Sequence, residues 1–81
     1  MKYIEIERTY YRMQNNIHRL MERNGMLDRG SIPFCIERAF CRVFKVNFTS
    51  DGEISNLAKV QERLDALSEK ERSEWKRRRC L

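Results

Sequence analysis

The chain has 81 residues, which is room for one domain, 1–81, and at that length folding removes only about 60–65% of the surface an unfolded chain exposes, so a partner or a second copy would add stability. Hydrophobic residues make up 41% and charged residues 36%, enough apolar material for a globule under a densely charged surface, and 17 Lys+Arg against 12 Asp+Glu set a net charge of +5. These values exclude disorder of the whole chain. The lack of any run near the roughly 18 apolar residues of a membrane span, or of a secretory start, predicts a cytoplasmic protein.

Taken in chain order, residues from about Lys2 to Arg23 predict a helix with two opposed faces. At about 100° per residue, Tyr3, Ile6, Tyr10, Met13, Ile17 and Leu20 line one side, whereas Arg8, Arg12, Arg19 and Arg23 fall in a narrow arc opposite. Asn24-Gly25 predicts the stop, because glycine accepts the left-handed conformation that closes a helix. Met26 and Leu27 are expected to tuck back on the core within a short connection. Ser31 is the expected cap of a second helix, with Pro33 in its first turn. That helix carries a wide apolar arc of Ile32, Cys35, Ile36, Ala39, Phe40 and Val43, extended by Phe44, Val46 and Phe48, and is expected to form the centre of the core.

A Ser-x-x-Glu pattern at Ser50 and Glu53 predicts the start of a third helix carrying Ile54, Leu57, Ala58, Val60, Leu64 and Leu67. A second such pattern, Ser68 to Glu71, predicts a short fourth helix running through Trp75 into a basic tail at 76–81 that frays. The β-prone residues Val43 to Phe48 leave a small hairpin as the alternative to a purely helical reading. The expected fold class is all-α, a compact bundle of three main helices plus a short C-terminal helix.

Arginine strongly outnumbers lysine, and its rigid bidentate fork suits phosphates and carboxylates. The row Arg8, Arg12, Arg19 and Arg23 spans about 22 Å, with Asn15 beside it, and has three readings: a solvated face bordered by Glu5 and Glu22, a track for a nucleic-acid backbone, or a match to an acidic protein surface. Arg38, Arg42 and Lys45 share a second basic arc. Trp75 with Lys76, Arg77, Arg78 and Arg79 joins a stacking surface to cations, either as an interface anchor or as a core cover on a dipole-stabilised helix end. A helix-turn-helix built from the second and third helices is disfavoured, because the reading position would hold Asp51 and Glu53.

Three cysteines without framework spacing point to a reducing compartment. Cys35, Cys41, Cys80 and His18 offer no paired zinc spacing, so no metal or other cofactor is expected, and Cys35 and Cys41 read as core or core-edge residues. No nucleophile stands at a telling spacing from His18, and the three glycines fit turns, not a phosphate loop. The expected function is therefore that of a non-enzymatic regulator or inhibitor that occupies a surface of another macromolecule. Its partner would be an acidic protein or protein–nucleic acid complex, with direct nucleic-acid binding as the competing reading and homodimerisation open. Small inhibitors of host defence complexes carried by phage and mobile elements are of this size and type.

Overall fold

The Asn24-Gly25 stop predicted from sequence is also where the architecture of the molecule is set. In the computed structural model, which describes residues 3–27 and 33–78, α1 (Tyr3–Arg23) ends in a left-handed Gly25 at φ 68°. Gly25 N–H donates to the Glu22 carbonyl at 3.1 Å and Met26 N–H to that of Met21 at 2.9 Å, and both methionines are fully buried. This paired bond pattern with an apolar contact across it closes the helix and turns the chain back over its own last turn.

The expected cap Ser31 lies outside the described residues. The residue preceding α2 (Phe34–Val43) is Pro33, whose carbonyl accepts from Ile36 and Glu37. At the far end Lys45 takes φ 53°, and Val46 N–H returns to the Cys41 carbonyl at 3.0 Å. A lysine therefore does here what Gly25 does for α1, at a conformational cost of about 1–2 kcal/mol for a residue with a Cβ.

The third helix starts later than its Ser-x-x-Glu pattern predicts. Thr49, not Ser50, supplies the hydroxyl that accepts from Asp51 and Glu53 N–H, and Gly52 at φ 88° cannot continue a helix. Residues 47–55 instead close on themselves through Thr49 N–H to Glu53 O (2.8 Å), Ser55 N–H to Asn47 O (2.8 Å) and an antiparallel bridge between Phe48 and Ile54. This is the small hairpin-like alternative, displaced towards the turn. Asn56 clamps its base, accepting from Asn47 N–H and donating to the Lys45 carbonyl, before α3 (Leu57–Asp65) begins.

The cap of α4 (Glu69–Arg77) forms as its pattern predicts. Ser68 Oγ accepts from Glu71 N–H at 3.2 Å while the Glu71 carboxylate accepts from Ser68 N–H at 3.0 Å, which also holds the Glu71 carboxyl below its ordinary value.

The described residues are all-α, 69% helical with no strand, and they form a compact body of 43 × 28 × 20 Å. Phe40 is at the centre of the core, in contact with the rings of Phe44 (4.9 Å) and Trp75 (5.8 Å) and surrounded by Ile17, Leu20, Val60 and Leu64. The helices number one of 21 residues and three of 9 or 10. Expectations at four positions of the apolar arcs are corrected. Leu57, Ala58 and Val43 face outward, and Cys35 is exposed and disulfide-bonded instead of packed in the core, a bond that also goes against the reducing compartment expected from the cysteine pattern. Ile6 and Tyr10 of the α1 seam are also exposed, because helices of about 15 Å cannot shield one of about 31 Å. Among the described residues, no helix is long and apolar enough to cross a membrane.

Candidate interaction surfaces

The arginine row lies along α1 on the side of α3. Arg8, Arg19 and Arg23 are exposed and have no hydrogen-bond or ion-pair partner among the described residues; the bordering Glu5 and Glu22 form no ion pair with them. Arg12 is exposed too, but one of its nitrogens donates to the Asp51 carbonyl at 2.9 Å and fastens the 49–53 turn to α1. Asn16 does the same through the Gly52 carbonyl at 2.8 Å. Arg19 and Arg23 border a shallow depression of about 100 Å³ with Leu57, which is 46% exposed, on its far wall. Asn15 is exposed beside the row. The face thus offers two guanidinium groups, of Arg19 and Arg23, beside a small apolar spot, with Arg8 and Arg12 farther along the same helix.

A second surface lies between α1 and α2. Tyr10, Met13, Phe34, Arg38, Cys41 and Phe48 border a groove of about 360 Å³. Beside it Tyr10 (41% exposed), Tyr11 (56%) and Phe34 (53%) form an aromatic patch, with Tyr10 in ring contact with both Tyr11 and Phe34 at just over 6 Å. Arg38 stacks on the Phe34 ring at 5.7 Å and Arg42 stands on the same rim. On the inner wall His18 Nε2 meets the buried Glu37 carboxylate at 2.8 Å. Burial, together with the Glu37 charge, pushes the Cys41 thiol up to about 11, so it carries little thiolate at neutral pH.

The predicted basic residues are therefore not gathered into one patch. By helix geometry the α1 row points roughly 130° away from the middle of the Ile4, Glu7, Tyr10 and Tyr11 arc, of which Tyr10 lines the groove. Lys45 is exposed at the α2 end, Lys76 and Arg77 are exposed in the last turn of α4, and Arg78 is exposed just beyond it. Of its two expected readings Trp75 takes that of a core cover: it is buried on Phe40 and Phe44, with the Arg78 guanidinium over its ring at 4.1 Å. Arg79 lies outside the described residues.

Two arginines that the periodicity did not single out are structural. Arg63 donates to the Phe44 carbonyl at 2.9 Å, and Arg72 donates to the Asn24 carbonyl at 2.9 Å and the Leu64 carbonyl at 2.8 Å, so each satisfies carbonyls that helix ends leave unpaired. Their signal is that each stands one turn from an apolar core position on a short helix. Tyr11 and Phe34 were also missed, although Tyr11, an aromatic off the apolar seam, is visible in the sequence. Among the described residues no group of three His, Cys, Asp or Glu side chains is placed to hold a metal ion. Comparison with protein-family models, curated proteins and solved structures found no match to this chain.

Proposed function

We propose that this chain is a non-catalytic binding protein, a small regulator or inhibitor that docks the α1–α3 arginine face on an acidic surface of a partner protein or protein–nucleic acid complex. The observation that carries this reading is the lack of internal use for Arg8, Arg19 and Arg23: in a chain of net charge +5, none has a partner among the described residues. Holding like charges in one narrow arc costs stability, and an external acid would offset it. Leu57, exposed beside Arg19 and Arg23, supplies the apolar contact that slows dissociation once charge has steered the approach. A single-domain three-helix bundle with a short fourth helix, resident in the cytoplasm, is the setting we assign to it.

The same four arginines also fit direct nucleic-acid binding, since their roughly 22 Å span is long enough to follow a phosphate backbone. The two readings separate in one experiment. Tagged wild-type chain and a variant with all four arginines changed to Gln are used to recover partners from a host lysate with and without nuclease. A protein partner that survives nuclease and is lost with the variant supports the first reading. Recovery that vanishes with nuclease supports the second, and capture unchanged in a folded variant overturns both.

A further inference from the structure

We propose that the aromatic patch and groove between α1 and α2 bind a second copy of this chain, forming a two-fold dimer in which the exposed N-terminal halves of two α1 helices lie antiparallel. The patch is opposite in character to the arginine row and faces another way, so this stands independently of the partner reading. Three observations select a second copy.

The first is that the chain carries the complement of its own groove. Ile4, Glu7, Tyr10 and Tyr11 share an arc of about 120° on α1, apolar and aromatic with one carboxylate, and the facing rim on α2 presents Arg38 and Arg42 around Phe34. A two-fold operation that sets α1 antiparallel to its copy leaves the α2 side of one chain on the α2 side of the other. Glu7 of each chain is thereby brought towards the Arg38 and Arg42 rim of its mate, a self-complementary match that closed symmetry requires.

The second is area. Tyr10, Tyr11 and Phe34 are each about half exposed, and the three rings offer on the order of 300 Å² per chain. Ile4 and the stems of Arg38 and Arg42 extend this towards the roughly 600 Å² per partner of the smaller specific interfaces, which predicts a reversible dimer of modest affinity. The composition agrees, as tyrosine, phenylalanine and arginine are the side chains that interface centres favour.

The third is charge. The arginine row of each chain points away from the proposed contact, so pairing two chains of net charge +5 does not bring those rows together.

Sedimentation velocity over roughly a hundredfold range of protein concentration tests the proposal, with reductant present and absent. The wild type is expected to shift from monomer to dimer in both conditions. Tyr10→Ser combined with Phe34→Ser is expected to stay monomeric with unchanged circular dichroism, since both rings are about half exposed and neither belongs to the buried core. Should that variant lose its fold, the charge pair carries the test. Glu7→Lys and Arg42→Glu are each expected to weaken dimerisation about tenfold, and the two together to restore most of it. A wild type that stays monomeric across the range overturns the proposal. So does a dimer seen only without reductant, or one indifferent to both the ring and the charge substitutions.

Discussion

Phe40 sets the stability of the whole chain. Fully buried and in contact with Phe44 and Trp75, it leaves a cavity that three short helices cannot collapse around, and Phe40→Ala is expected to cost about 3–5 kcal/mol. For a domain this small the variant would be largely unfolded near room temperature, which denaturant titration would read directly. Lys45 predicts the opposite sign. Its left-handed φ of 53° is strained only because it has a Cβ, so Lys45→Gly is expected to stabilise by up to about 1 kcal/mol, less the added freedom of glycine in the unfolded chain. A lower midpoint would show that the lysine stem packs usefully.

At the scale of the element, the capping box of α4 was legible because it is local: Ser68 and Glu71 need only each other and the intervening turn. The identical pattern at Ser50 and Glu53 failed for a reason no local reading supplies. Gly52 is pressed against α1, where a Cβ would come within 2.8 Å of the Thr9 carbonyl, and Asn16 and Arg12 hold its neighbours in the turn. Tertiary contact thus overrides a cap signal. Ser68→Ala is expected to cost about 1 kcal/mol of stability. The cap should also respond to acid. Because folding lowers the Glu71 carboxyl from its ordinary 4.5, its contribution is complete above that value and is lost as pH falls through the folded one. The stability gap between wild type and Glu71→Ala is therefore expected to narrow on acidification, and a gap constant with pH would show that the carboxylate charge is not what matters.

For the molecule as a whole, the all-α class, the position of Phe40 and the arginine arc could all be read from periodicity, which reports which residues share a side. Periodicity does not report how much of that side is covered. The α1 seam looks continuous from Ile6 to Leu20, yet only Ile17 and Leu20 are buried in it, because coverage depends on the lengths and crossing of the other helices. Trp75 was left open between surface and core for the converse reason: a basic run beside an aromatic looks like a surface until α4 folds over Phe44. The unneutralised row carries a prediction at this scale. Arg8 with Arg12 and Arg19 with Arg23 are like charges one turn apart, so moderate salt should raise the thermal midpoint of the wild type, and less so that of the four-fold Gln variant.

Arg72 ties the carbonyls of Asn24 and Leu64 together across a separation of 48 residues from its farther partner, and this fixes when in folding it can act. A contact that distant closes only after the intervening chain has been ordered, since loop entropy must be overcome first. The Arg72–Asn24 bond is therefore expected to form late, after the rate-limiting step, whereas the bond to Leu64, eight residues away, is local. In a chevron plot Arg72→Ala should leave the refolding arm almost unmoved and lift the unfolding arm, so that this one side chain governs how long the molecule stays folded and hardly affects how fast it gets there.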